Sequence, residues 1–505
     1  MTAKATGALS RENGAGATDK IRHCEPQQGA VGAVSAAHPL ATEAALFILE
    51  QGGGAVDAVI SAQAVISVAM PQAAGLGGDM LALVHHDGEV TGFNGVGRSP
   101  AIVPQLWGSD GGSSVTVPGI VPAWESLHKR FGRLLFSQVL EPAITLATEG
   151  YRIDESLAAA LEAQRPRLLH YGGDQWGLLK QRVGDTWYQP ELARFLTQLA
   201  TDGTAGYYLT EAAALMAKAA SCHGGVLSVE DFRDHQTTVA PPIHTSLGEQ
   251  TLWVQPPSSQ GVLLAMAAKW LHDNPRAAAT NTQHVLAELT DAVFTYRDQC
   301  ARGTENFTHK LEVNLDKASK RGGARAYLHT AGVAVADSDG MVVSSLISVF
   351  DDFGSGVFVP ELGIVLNNRA AGFTAGDNSP RLNAYPVHTL APAMLTGPGD
   401  EVLALATPGA DGQIQTLLQV ISRLLLEQND LAHALAAPRW RGQDQKLLIE
   451  DDHPEISALE QKGHDLRVLP PGDDLFGAVV AAGYAEGKAF AASDWRRKVI
   501  TGSVS

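Results

Sequence analysis

The sequence predicts an α+β protein with mixed layers of helix and sheet, and three observations carry that expectation. Apolar residues recur at helical spacing through much of the chain to about residue 310, short β-branched runs dominate after about 330, and polar turns divide those runs into hairpins. With 505 residues, 45% of them hydrophobic and 18% charged, the chain can build a large layered core; a wholly disordered, fibrous or coiled-coil protein is excluded.

Residues 1–25 read as a weakly attached, disordered arm. From Gly32 a short apolar strand reaches His38, and Pro39 opens the run LATEAALFILEQ, which stops at Gly52-Gly53-Gly54. Proline in the first turn and glycine past the last delimit a helix. A second helix follows in AVDAVISAQAVISVAM, where Asp57 in the first turn complements the helix dipole. MLALVHH and EVTGFNG flank Asp87-Gly88 as a hairpin. The loop before them, Gly75-Leu76-Gly77-Gly78-Asp79, reads either as a phosphate cradle or as a turn where backbone passes closely; without the Gly-x-Gly-x-x-Gly spacing or a P-loop lysine, the turn is favoured. Residues 120 to 310 look mainly helical (ESLHKRF, LAAALEAQ, EAAALMAKAA, LLAMAAKWL, LAELTDAVFTYRDQC). Beyond 330, AGVAVAD and MVVSSLISVF form a hairpin about Ser338-Asp339-Gly340, followed by the strands GVFVP, GIVLNN and VLALATP and the amphipathic helix IQTLLQVISRLLLEQ.

Lys and Arg number 37 against 54 Asp and Glu, a formal net charge of -17, which is the wrong sign for a nucleic-acid partner. No apolar run of about 18 residues predicts a membrane span, and the N-terminus lacks a signal-peptide pattern, so a cytoplasmic location is expected. Cys24, Cys222 and Cys300 are odd in number and far apart, which implies neither a disulfide framework nor a cysteine zinc site. No zincin, P-loop or dinucleotide motif occurs, so neither metal nor cofactor is expected. His85-His86-Asp87 offers ligand atoms, but neighbouring strand residues face opposite sides, and a solvated turn is the better reading.

The informative residues lie around Thr330: LHTAGVAVADSDG from Leu328 to Gly340, then Phe353-Gly354-Ser355-Gly356, GIVLNN from Gly363 to Asn368, and Thr407-Pro408-Gly409-Ala410. Upstream stand NGVGR ending at Arg98, Val117-Pro118-Gly119 with Trp124, LHKRFG from Leu127 to Gly132, and PPSSQG from Pro256 to Gly261; downstream stands Ala437-Pro438-Arg439. As an ordered set spanning about residues 30 to 495, these resemble the γ-glutamyltransferase family. The resemblance implies a four-layer αββα sandwich of the N-terminal-nucleophile hydrolase type, made as a precursor that cuts itself before a threonine. That position is Thr330, so the cut would fall between His329 and Thr330 and give a large subunit, 26–329, and a small one, 330–505, in one fold. A dimer of such heterodimers is compatible with the resemblance.

Physical chemistry agrees with that assignment. A threonine hydroxyl needs a base within hydrogen-bond reach, and once freed the α-amino group of Thr330, with an ordinary pKa of about 7.7–8.0, is that base. Before the cut the nitrogen is an amide, so the first reaction must be attack of the hydroxyl on the His329 carbonyl. The competing reading is an ordinary strand-opening threonine. By the resemblance, Ser348 stands where a threonine hydrogen-bonds the nucleophile, against an outward polar strand residue. Gly409 and Ala410 would offer two backbone N–H groups to the oxyanion at a helix start, against a plain strand-to-helix turn.

Departures from the family pattern address the substrate. Phe350 replaces an asparagine, Arg369 a glutamine, Gly372 the ammonium-binding aspartate, and His388-Thr389 a serine pair; the stretch between Phe373 and Pro386 is too short for a covering lid. Arg98 occupies the place of the carboxylate-binding arginine, and Arg369 adds a second cation, each weighed against a surface or structural ion pair. His388 reads as a wall residue or an accessory group. The expected ligand is a small anionic amide without a free amine, with oxamate, giving oxalate and ammonia, foremost; glutaryl side chains of the cephalosporin type and then γ-glutamyl transfer follow. A processing-dead binder of an anionic metabolite is the reading from another class, motivated by Gly332 where the family has a histidine.

Overall fold

The computed structural model describes residues 16–302, 310–319, 330–497 and 499–505. Two seven-stranded antiparallel sheets lie face to face. The first runs, edge to edge, Ile500–Val504, Gly32–Ala36, Ala331–Asp337, Val342–Ser348, Asp79–His86, Glu89–Asn94, Thr238–Ala240; the second runs Gln27–Gly29, Lys488–Ser493, Val480–Ala485, Val402–Ala406, Ala393–Thr396, Gln250–Val254, Ile243–Leu247. Ala334, Ala336, Leu346, Leu81 and Leu83 of the first interdigitate with Met394, Ala404, Ala406, Val480 and Ala482 of the second. Helices cover both outer faces: Pro39–Glu50, Ala55–Ala69, Phe136–Glu149 and Pro190–Tyr208 share a core with the first sheet, and Gly261–Asp273, Thr282–Phe294 and Gly412–Leu425 with the second. This is the αββα sandwich. Strand period decides the layering, because Val333 and Val335 point to helices while Ala334 and Ala336 point to the facing sheet.

Close packing explains several sequence features. Gly77 and Gly78 form the expected tight turn: a Cβ on Gly77 would lie 2.1 Å from the Val365 carbonyl oxygen, and one on Gly78 2.4 Å from that of Ser348. Asp57 does more than complement a dipole, since its Oδ2 accepts N–H bonds from Gly54, Arg133 and Leu134. His85 and His86 have separate partners, the Gly340 carbonyl and the Asp87 carboxylate. Among the described residues no helix is long and apolar enough to cross a membrane.

One expectation is corrected. The arm expected over 1–25 is structured from residue 17: Ala17–His23 is a helix whose Lys20 pairs with Asp452 at 2.6 Å, and Cys24 is fully buried. Ile21 and Cys24, three apart, reach the same core behind the second sheet. The middle of the chain is mainly helical, as its periodicity suggests, and it adds Thr238–Ala240 and Ile243–Leu247 as edge strands, one to each sheet, with Gln250–Val254 beside the latter. These runs are short and each carries a threonine among its apolar residues, so their alternation carries little apolar signal.

Candidate active site

Thr330 immediately precedes strand Ala331–Asp337 and continues the phase of Gly332 and Ala334, which face the opposite sheet. It is 6% exposed, and its Oγ1 donates to Ser348 Oγ at 3.5 Å, the long limit of a hydrogen bond. Ser348 ends the partner strand, is buried, and its Oγ also accepts the Phe350 N–H at 2.9 Å. His329 lies outside the described residues.

Phe350 has φ 85°, a left-handed conformation that turns its ring onto the Arg369 guanidinium, 4.3 Å from ring centroid to Cζ. Arg369 and His388 are both fully buried and both bind one carboxylate: Arg369 Nε donates to Asp79 Oδ2 at 2.7 Å, and His388 Nε2 lies 3.2 Å from the same oxygen. Since His388 Nδ1 accepts the Leu390 N–H, Nε2 carries the imidazole proton. Burial would raise the Asp79 pKa, but the Arg369 charge and then the His388 hydrogen bond hold it below the ordinary carboxylate value. Burial and then the Arg369 charge push His388 down to about 4, against the pull of Asp79. At neutral pH the trio is a neutral imidazole beside an ion pair, so its formal charges cancel. Asp79, which pairs with Ser348 across adjacent strands, is the residue sequence reasoning missed as a site component; its only local signal is a carboxylate directly after a glycine turn.

The third part lies between strand Val402–Ala406 and helix Gly412–Leu425. Gly409 has φ 122° and Ala410 φ 51°, a consecutive pair of positive angles that turns the backbone sharply ahead of the helix. The Gln260 side-chain NH₂ donates to the carbonyls of Ala410 and of Thr389, 3.1 Å each, and its backbone N–H donates to that of His388. Gln260 therefore couples this turn to the His388–Thr389 wall, a role its place in PPSSQG did not disclose. Asp411, the residue before the helix, is held by Arg297 Nε at 2.9 Å.

Arg98 is exposed, in contrast to Arg369, and its Nε donates to the Tyr385 hydroxyl at 3.0 Å. Ser99 ties this segment to the 381–385 stretch through Arg381 and Ala384. Tyr385 and Ser258 line an open cavity of about 410 Å³ that Arg302 and Arg381 also border, and the Ser258 carbonyl accepts the His388 N–H. The stretch from Phe373 to Pro386 is drawn in rather than raised as a lid, with Asn378 bonded to Gly372 and Val387. A Cβ on Gly372 would lie 3.7 Å from Phe350 Cζ and 3.3 Å from Pro386 Cβ, so Phe350 occupies the space beside this glycine. Gly332 also has a steric reason: a Cβ there would lie 2.9 Å from Val480 Cγ2 of the facing sheet.

A family model described as gamma-glutamyltranspeptidase matches residues 41–503. The chain is 30% identical over 490 residues to the glutathione hydrolase-like YwrD proenzyme of Bacillus subtilis, covering 88% of this chain and 93% of that one. It is 29% identical over 492 residues to the oxamate amidohydrolase proenzyme of Klebsiella pneumoniae, with 88% and 93% covered. Among solved structures, the cephalosporin acylase from Bacillus halodurans superposes with a TM-score of 0.85 at 25% identity, covering 100% of this chain and 99% of that one.

Proposed function

The chain belongs to the gamma-glutamyltranspeptidase family, and from that premise we propose that it is a self-processing amidohydrolase of small, carboxylate-bearing amides. Thr330 attacks the carbonyl of His329, an N-to-O acyl shift moves the chain onto the hydroxyl, and water cleaves the ester to leave a free α-amine on Thr330. In turnover that amine takes the hydroxyl proton, the oxygen adds to the substrate amide, the tetrahedral oxyanion is met by the N–H groups of Gly409 and Ala410, and the α-ammonium passes its proton to the leaving nitrogen, which departs as ammonia or an amine. Water then resolves the acyl-threonine. Ser348 holds the hydroxyl in line, and Gln260 fixes the turn that carries the oxyanion donors.

The single observation that carries the substrate reading is the packing of Phe350 against Gly372 and Arg369. No carboxylate stands at residue 372 to receive an α-ammonium, and an aromatic ring occupies the space beside it. Because Asp79 neutralises Arg369 and His388 is uncharged, attraction for a substrate carboxylate falls mainly to Arg98, with Arg369, His388 and Thr389 shaping the wall. Oxamate is the foremost candidate, in keeping with the Klebsiella relative. The likeness to a cephalosporin acylase favours a glutaryl amide as the second reading.

Two measurements test this. Denaturing electrophoresis with N-terminal sequencing should give two fragments, the shorter beginning at Thr330, and Thr330→Ala should remain one chain without amidase activity. A single uncut wild-type band would point to a binder. Ammonia release should be strongest with oxamate among oxamate, succinamate and glutaryl amides, while γ-glutamyl anilide is turned over poorly; preferred turnover of the anilide overturns the substrate assignment.

A further inference from the structure

Away from the nucleophile, His284 and Glu288 stand one turn apart on helix Thr282–Phe294, and His464 approaches them from the loop after helix Ile456–Gln461. All three are buried, and one ligand atom from each lies within 4.8 Å of the others. Residues four apart on a helix share a face, so one imidazole and one carboxylate converge on the third group without distortion. His284 Nδ1 and His464 Nε2 are 2.8 Å apart. Both Glu288 oxygens accept the Ser319 N–H at 3.1 Å, which orients the carboxylate.

We propose that His284, Glu288 and His464 form a site for a divalent transition metal, with zinc the best match. Two imidazoles and one carboxylate are a recurrent three-residue zinc donor set, with solvent in the fourth position. At metal–ligand distances of about 2.0–2.2 Å, tetrahedral ligand atoms lie about 3.3–3.6 Å apart. The imidazoles would open by about half an ångström, and all the ligand atoms already lie within 4.8 Å of one another, so the change is within reach of side-chain rotation.

The location gives the site its role. His284 and Glu288 precede residue 330, and His464 follows it. The short segment 310–319 is pinned to the same place, with the Ala318 N–H on the Lys462 carbonyl and Lys462 Nζ on that of Leu315. If the chain is cut before Thr330, as proposed above, one ion would bridge both products beside segment 310–319 of the longer one. The ligand set itself does not depend on the cut.

The test uses full-length protein, as the wild type and as Thr330→Ala, freed of metal by a chelator and titrated with Zn²⁺ or Co²⁺. Expected are one Zn²⁺ per chain in both proteins and a Tm rise of about 2–3 °C at a hundredfold excess over Kd. Glu288→Gln and His464→Ala should each weaken uptake at least tenfold. Co²⁺ on the wild type should give the intense visible bands of a tetrahedral site, a readout that survives even if a variant does not fold. Absent stoichiometric uptake, undiminished uptake in both variants, or featureless Co²⁺ spectra each overturn the site. Uptake by a wild-type chain that stays uncut would keep the metal site and sink only its bridging role.

Discussion

Acidification should unfold this protein through its buried histidines. Burial pushes His388, His235 and His453 each down to about 4, from the ordinary 6.5. Between those values the unfolded chain binds protons that the folded chain refuses, so stability present above pH 6.5 is lost as the pH falls towards 4. Linkage gives a loss of about 2 kcal/mol per histidine between pH 7.5 and 5, and about 6 kcal/mol for the three, a large share of the stability of a typical domain. His388→Asn retains an acceptor for the Leu390 N–H while removing the titration. Urea unfolding followed by tryptophan fluorescence at pH 7.5 and 5.0 should show the variant losing about 2 kcal/mol less than wild type over that interval. What matters is the difference between slopes, because the substitution carries its own cost at every pH. Parallel losses in the two proteins would refute the account of His388 as a buried neutral imidazole.

Asp79→Asn should break the fully buried ion pair with Arg369 and cost about 3–5 kcal/mol, read as a lower urea midpoint. Gly409→Ala, at φ 122°, should displace the turn proposed to meet the oxyanion and lower kcat about a hundredfold without blocking substrate binding, as steady-state kinetics would show. Arg98→Ala should raise KM for an anionic amide by about tenfold or more while altering kcat little, and added salt should weaken binding to wild type more than to the variant. Phe350→Asn combined with Gly372→Asp should raise γ-glutamyl anilide turnover relative to the short amide by at least about tenfold; an unchanged ratio in the competition assay would clear Phe350 of any part in selectivity.

The layered fold was legible because periodicity and turn chemistry agree over long stretches: Pro39–Glu50, Ala55–Ala69 and the hairpin from Ala331 to Ser348 all lie where their patterns put them. Ordered motifs indicated the family, but they supplied residue types rather than partners. Arg369 reads in sequence as an available cation, yet it is buried on Asp79, 290 residues away. No local pattern can announce an ion pair of that span. The same holds for Gln260, whose bonds to Thr389 and Ala410 join segments 129 and 150 residues distant. Edge strands such as Ile243–Leu247 escaped notice because half-exposed positions need no apolar alternation.

In the second sheet the four strands that follow residue 330 are flanked on both sides by strands that precede it, and in the first sheet Gly32–Ala36 is inserted between Ile500–Val504 and the other two that follow it. Such weaving is easy while the polymer is continuous, since each piece is delivered at high local concentration by its tether. After scission and full unfolding the same arrangement demands a second-order encounter of two incomplete sheets with exposed edges. Recovery from denaturant should then fall with dilution for the severed protein but not for the intact Thr330→Ala chain, which makes maturation a one-way passage in the life of the molecule.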